Sequence, residues 1–489
     1  MSTAASAHAT AAPTAPPLSR GTKLWYALGQ LGEGIKNESF AYFLVFYYTN
    51  VLDLPGTLAG LAYLISMLVD AVADPLMGVI SDRTRSRLGR RHPWIFASAL
   101  PLALSLYLVF APPAGLSRAA LFAWMLTWTL VNRFALTMFH VPYLALGAEL
   151  TREWNERTLL VSMRHAFGQL ALFAPAVVGF LWLFRTTAEH GKGQFYAPAY
   201  PQYAAICAAA VFALILATGW KTRDRIPQLV APDAASGERS VFATLGRDLL
   251  DLLGQRAFRA VFLGTAIISI ATGVTVNLGL HAGTFFWDLG TEALAAWRIV
   301  VAIAIVGGLA FWTRLAASRD KGAIFNQGLL WYLLFHSVVW LLATYGYWPE
   351  RSHAAYVPLY LFATGLLGPF AIASTLAMGQ SMMADCADQD ELEFGRRREG
   401  VFFGAASLAQ KLTLGGGALV AGIAVDLVGL TGLHSVAEVT PEMRLQLGLV
   451  MTLSVGVLIA LSWLAFRRYD LSRARMAEIH ARLEARRSA

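Results

Sequence analysis

Residues 58–94 read LAGLAYLISMLVDAVADPLMGVISDRTRSRLGRRHPW. The part from 58 to 80 is apolar and long enough to cross a hydrocarbon layer as a helix, which takes about 20 residues. The part after it carries Arg83, Arg85, Arg87, Arg90 and Arg91, a basic block of the kind retained on the inner side of a membrane. Between the two sits a contradiction. Asp70 and Asp74 lie inside the apolar run, and an ionised side chain at the bilayer centre costs at least about 2.5–3.5 kcal/mol on insertion scales. The stretch therefore predicts a membrane span with a functional site inside it.

The rest of the chain repeats the pattern. Of its 489 residues, 56% are hydrophobic and 14% charged, where a soluble domain carries about a quarter charged. Spans are predicted at roughly 24–52, 58–80, 94–113, 119–148, 160–185 and 203–221, then 257–287, 293–316, 323–345, 354–384, 399–430 and 443–467. Connectors after even-numbered spans hold the basic clusters, including Lys221, Arg223 and Arg225; Arg314, Arg319 and Lys321; and Arg396, Arg397 and Arg398. Connectors after odd-numbered spans hold few, such as Arg118, Lys192 and Arg351. Both termini are thus expected in the cytoplasm of a multi-pass inner (plasma) membrane protein. The net charge of +8 sits in short connectors and forms no basic face, so nucleic acid is not expected. Cys207 in an apolar run and Cys386 in a polar connector support neither a disulfide scaffold nor a zinc site.

Five segments follow. Residues 1–22 read as a disordered tail without a cleavable signal, 23–221 as a six-helix bundle, and 222–256 as a polar central loop with Pro227, Pro232 and the run from Ala234 to Ser240. Residues 257–467 form a second six-helix bundle and 468–489 a second tail, whose basic and apolar residues alternate as if to lie on an anionic leaflet. Two halves of this kind place a solute site near the midplane between them.

Charges inside the spans are the candidate site. Asp70 and Asp74 are four apart, on one helical face, where like charges repel. A proton or a metal cation, with sodium the candidate, would neutralise them; otherwise one pairs with a basic residue and the other reaches a helix end. Arg133, Thr137 and His140 share a face of the fourth span, and Pro142 after them frees backbone carbonyls. His140 reads as a cation-site or solute-site residue or as hydrogen-bonded packing, Arg133 as a partner for a carboxylate. Arg164 and Lys411 are taken as the remaining inner cations, Lys411 standing just before Gly415-Gly416-Gly417, a place for close helix approach. Glu33, Lys36 and Glu38 make the first span polar, Glu33 and Lys36 being near enough to pair.

The run from Asp70 through Pro75 and Gly78, continued by Ser81-Asp82-Arg83-Thr84-Arg85-Ser86-Arg87-Leu88-Gly89-Arg90-Arg91-His92-Pro93-Trp94, resembles the glycoside–pentoside–hexuronide:cation symporters of the major facilitator superfamily. A second stretch, from Asp385 and Asp388 through Glu393, Gly395 and Arg398 to Gly400, resembles that family's connector between helices ten and eleven. The resemblance implies an all-α major facilitator fold, twelve transmembrane helices in two six-helix bundles. It makes Asp70, Asp74 and Thr137 cation ligands, Arg164 a residue near the sugar, and Lys411 a lysine linked to the cation site. It makes Asp82, Arg83, Arg87, Arg90 and Arg91 a cytoplasmic gate closed by ion pairs between the halves.

Three departures stand against a melibiose-like solute. His140 replaces a carboxylate, Gly34 replaces the helix-one sugar aspartate with Glu33 beside it, and Leu144 replaces a stacking tryptophan. The string His140-Val141-Pro142-Tyr143-Leu144-Ala145-Leu146 is instead similar to lysophospholipid:sodium symporters, so Tyr143 joins Glu33 and Arg164 as a solute-site candidate. The expected activity is cation-coupled symport of a small solute, a sugar or glycoside first and a lysophospholipid or other amphiphile second. The coupling ion is Na+ or H+, no cofactor is needed, and the working unit is a monomer in lipid. No nucleophile elbow, zinc motif or P-loop supports an enzyme. A non-transporting sensor or scaffold is the reading from another class.

Overall fold

Ser19 caps the first helix by accepting from the Thr22 N–H at 3.0 Å, and Ser117 and Thr440 cap later ones in the same way. The computed structural model describes residues 18–151, 153–187, 191–228, 251–395 and 399–488. Among them run twelve long helices: α1 (20–50), α2 (Gly56–Arg83), α3 (His92–Val109), α4 (Arg118–Leu150), α5 (154–183), α6 (Ala199–Thr222), α7 (Arg256–Phe286), α8 (Thr291–Ala316), α9 (Lys321–Thr344), α10 (Tyr356–Phe394), α11 (Glu399–Val428) and α12 (Pro441–Phe466). Eleven are long and apolar enough to cross a membrane. The exception, α1, carries Glu33, Lys36 and Glu38, which lower its hydropathy without breaking the helix. The described residues form two six-helix bundles, α1–α6 and α7–α12, and the chain is a multi-pass membrane protein. Most of the first tail, Pro232 and the Ala234–Ser240 run, and Arg396 to Arg398 lie outside the described residues.

An even number of helices puts residues 18 and 488, the ends of the described chain, at one face, here called the terminal face; the connectors after odd-numbered helices lie at the distal face. Short π-helical segments interrupt α1 at Phe40–Leu44 and α10 at Leu361–Leu367, and end α5 at Pro175–Leu183 and α7 at Ala282–Phe286. Such turns widen a helix locally and cluster at functional sites.

The bundles meet through glycines. A Cβ on Gly422 of α11 would stand 2.0 Å from the Gly56 carbonyl oxygen of α2, and one on Gly60 would stand 2.7 Å from the Ala418 oxygen. Gly417 meets α7 as closely, 2.5 Å from the Ile270 oxygen, while nothing lies within 4 Å of a Cβ on Gly416. Backbone cannot yield as a side-chain tip does. Gly422→Val is therefore expected to lower the thermal unfolding midpoint in detergent, with a cost of about 1–3 kcal/mol, and Gly416→Ala to leave it unchanged.

Polar ties fasten the distal face between the bundles. Asp426 at the end of α11 accepts from the Gly56 and Thr57 amides, 2.7 Å each, and so caps α2 from the opposite bundle. Asn50 donates to the Leu430 carbonyl at 2.6 Å, and Thr49 is 3.0 Å from His281. Two further ties between bundles lie at the same face, His434 with the Asn50 carbonyl and Gln194 with Thr284.

Two expectations for the second bundle are corrected. Helix α10 runs on to Phe394 and stops at Gly395, where φ is +67°, so Asp385 to Glu393 is helix and not connector, and Cys386 is buried within it. The continuation is held because the Lys321 ammonium reaches Asp385 at 2.7 and 2.8 Å and the Tyr469 hydroxyl donates to it at 3.2 Å. Beyond α12, a further helix α13 (Arg473–Ser488) buries Met476, Ile479 and Leu483 and packs on α10, with His480 at Asp388 and Arg486 donating to the Leu392 carbonyl. Its apolar face docks on protein, so the segment does not lie free on a leaflet.

Candidate functional site

Helix α2 supplies Asp70 and Asp74 one turn apart, and α4 supplies Thr137 against them. The Thr137 Oγ1 stands 2.9 Å from Asp70 Oδ1 and 2.9 Å from Asp74 Oδ1. A hydroxyl has one proton to donate. With both carboxylates ionised, only one of the two contacts is a hydrogen bond. The second needs a carboxyl proton or a cation among the three oxygens, and hard cations take such ligands. Among the described residues no group of three or more His, Cys, Asp or Glu side chains is placed for a metal, so the donor set here is two carboxylates and a hydroxyl.

The positive charge at this cluster arrives from the other bundle. Lys411 of α11 places its Nζ 3.0 Å from Asp70 Oδ2 and in contact with Asp74 Oδ2. Arg133 of α4 is within electrostatic reach of Asp70 and donates to the Tyr63 hydroxyl at 3.2 Å. Asp70 is 5% exposed and Thr137 1%, whereas the Asp74 side chain keeps 24% and Lys411 21%. The cluster is dry on one side and open on the other.

Beside it, His140 Nδ1 lies 2.9 Å from Glu33 Oε2. The expected pairing of Glu33 with Lys36 is not made; the Lys36 Nζ lies 3.4 Å from Asn37 Oδ1 and over the Phe40 ring. His140 takes Glu33 because α1 and α4 pack side by side and the two groups face each other.

A cavity of about 730 Å³ lies between the bundles. It reaches from Ala282 and Trp297 toward Thr265 and Met383 on the terminal side, and Tyr63 and Gln410 border it next to the aspartate cluster. Its roof toward the distal face carries an ion pair between bundles, Glu38 of α1 with Arg298 of α8, the guanidinium lying over the Tyr42 ring. Arg298 is a further inner cation that the sequence reading passed over, although a charge inside an apolar span is itself the signal. Asp426 was passed over too, because a carboxylate at a helix end looks ordinary until the amides it caps are known.

Two solute-site expectations fail in this conformation. Tyr143 is fully buried, stacked on Tyr26 and Phe139 at 4.6 and 4.9 Å between centroids, and donates to the Tyr26 carbonyl. It is packing between α1 and α4, made possible by Gly147, whose Cβ would strike the Tyr26 hydroxyl. Arg164 lines a separate pocket of about 170 Å³ with Tyr26 and Arg157 and does not border the large cavity. The gate loop makes its described ion pairs close at hand. Arg90 and Arg91 both bind Glu149, Arg91 also binds Asp82, and Arg83 and Arg87 are exposed. These ion pairs lie within one bundle.

The putative glycoside/cation symporter YagG of Escherichia coli K12 is 25% identical to this chain over 472 residues, covering 96% of the chain and 95% of that protein. The sodium-dependent lysophosphatidylcholine symporter 1 of Mus musculus is 34% identical over 147 residues, 29% of the chain and 27% of that protein. In three dimensions the chain is similar to a D-xylose-proton symporter, with a TM-score of 0.62 at 14% identity over 92% of this chain and 98% of that one, a likeness of fold. Residues 25–473 match the MFS/sugar transport protein family, a span that takes in α2 to α12 and all but the first turn of α1, and the chain belongs to this family of membrane transporters.

Proposed function

We propose that the chain carries a small sugar or glycoside across the inner membrane together with a cation, with the terminal face in the cytoplasm. The conformation described is then the inward-facing one, its distal face shut and its cavity turned to the cytoplasm. One observation supports the coupling above all others: a hydroxyl within 2.9 Å of two carboxylates, with the other bundle's lysine lying on both. Lys411 holds the place that a cation would take. When the cation enters among Asp70, Asp74 and Thr137, Lys411 is set free, and a tie between the bundles goes with it. The solute occupies the cavity unchanged in its chemistry, and the protein works as a monomer in lipid without a cofactor.

Sodium is the coupling ion that the oxygen set favours, and thermal unfolding in detergent tests it. Anything that binds the folded state alone raises the midpoint by mass action. Sodium chloride is expected to raise it above choline chloride at equal strength; identical midpoints would rule sodium out and leave the proton. The pH dependence follows from His140, which faces Glu33 of α1 and lies within electrostatic reach of Asp74 of α2 and Lys411 of α11. Histidine gains its charge near neutral pH, and a charged His140 repels a cation at Asp74. Sodium stabilisation is therefore expected to weaken as pH falls from about 8 to about 5.5, and His140→Gln to flatten that slope. An unchanged slope in the variant would remove His140 from the site. The lysophosphatidylcholine relative supports an amphiphile as the second reading of the solute. Uptake of neutral pentosides and hexosides against uptake of a lysolipid separates the two.

A further inference from the structure

One layer of the distal face gathers three cations and several hydrogen-bond donors that the cation site does not use. Asp288, on the link between α7 and α8, is gripped by two cations. Lys192, from between α5 and α6, contacts Oδ1 and donates to the Leu289 carbonyl at 3.0 Å, and Arg351, from between α9 and α10, takes Oδ2. A third cation, Arg444 in the first turn of α12, lies within electrostatic reach of Arg351, Asp288 and Tyr356. Among the described residues Asp288 is thus the carboxylate that all three cations share. Burial, reinforced by Arg351 and opposed by Asp288, holds the Lys192 ammonium below its usual range.

The donors are in surplus as well. The Arg444 Nε is buried with no acceptor. Trp287 and Trp348 pack edge to face at 5.2 Å, and Tyr356 donates its hydroxyl to the Trp287 carbonyl at 2.8 Å, so these rings belong to the same layer. Both indole Nε1 atoms are also buried with no acceptor. A buried N–H left without an acceptor loses its hydration for nothing, and three such donors beside three cations that share Asp288 favour an acceptor with negative charge.

We propose that this layer binds a small inorganic anion, with chloride as its occupant, between Arg444, the two indoles and the Lys192–Asp288–Arg351 cluster. Lys192 belongs to the first bundle; Asp288, Arg351 and Arg444 belong to the second. An anion that balances the three cations lets Lys192 and Arg351 stay together on Asp288, and so fastens the distal face shut. Without it, repulsion among the cations loosens the tie. Chloride on that side then slows opening toward that side, independently of the cation at Asp70 and Asp74.

The test uses the purified full chain in detergent with sodium held constant and the anion changed. At about 100 mM, chloride is expected to raise the unfolding midpoint over gluconate by about 2 °C. Arg444→Gln and Trp348→Phe, the latter keeping an aromatic ring while removing the N–H, are expected to lose that rise. Equal midpoints in chloride and gluconate overturn the proposal, as does a rise of wild-type size in Trp348→Phe and in Arg444→Gln. If Arg444→Gln fails to fold, Trp348→Phe decides alone. Sodium against choline at fixed chloride, measured on the same samples, reads the aspartate site separately, so failure of either reading leaves the other standing.

Discussion

Asp74→Asn is expected to abolish uphill uptake and to leave the fold intact. Asparagine keeps the size of the side chain and offers Thr137 an oxygen, but removes the charge that a cation needs. The position tolerates the change, since the Asp74 side chain is 24% exposed and Lys411 retains Asp70 at 3.0 Å. A membrane potential contributes about 2.3 kcal/mol per charge per 100 mV. One cation at about 150 mV therefore supplies about 3.5 kcal/mol, enough to concentrate a neutral solute a few hundred-fold. The variant, with no cation to carry, equilibrates the solute to about onefold. Uptake into energised vesicles measures this, and the sodium-specific rise in unfolding midpoint should vanish with it. A folded Asp74→Asn protein that still concentrates solute like the wild type would sink the cation site. Asp70→Asn is a poorer probe: Asp70 is buried and Arg133 depends on it, and a buried charge stripped of its partner costs about 3–5 kcal/mol.

Most of the architecture was legible because lipid imposes one rule along the whole chain: apolar runs of helical length, separated by polar turns. The rule failed where function overrides it. Helix α1, expected at 24–52, does form although Glu33, Lys36 and Glu38 lower its hydropathy, because His140 and Arg298 meet two of those charges inside the fold. The end of α10 read as a connector because Asp385 and its neighbours are polar, whereas Lys321, Tyr469 and α13 let that polar turn remain helix. Within the site, Asp70, Asp74 and Thr137 were legible from spacing and resemblance together. Arg164 and Tyr143 were assigned by resemblance and by a short string, neither of which encodes which way a side chain turns or which face of the carrier is open. Arg298 was missed for a simpler reason: a single arginine in α8 was absorbed into an apolar run. Its partner Glu38 lies 260 positions away, and no local pattern joins them.

Lys411 carries the second large expected effect, and it tests whether the lysine is only a structural partner. In the state described, its ammonium lies on both aspartates although 337 positions separate it from Asp74. A carrier that returns empty must move through an occluded state with those carboxylates desolvated, and two adjacent uncompensated charges in a dry site are prohibitive. Lys411 supplies the compensation on the return, as the cation does on the loaded passage. Lys411→Met should therefore bind sodium at least as tightly as the wild type, because the competing ammonium is gone. It should nevertheless lose net accumulation, because the empty carrier no longer returns. Exchange of labelled for unlabelled solute, with cation and solute present on both sides, never requires the empty passage and should persist. A purely structural lysine predicts something else: sodium binding, net uptake and exchange fall together. Net uptake that survives alongside exchange would also defeat the argument, since the aspartates would then be crossing bare. The two assays on one preparation of vesicles thus distinguish a lysine that stands in for the cation from one that merely holds α11 against α2.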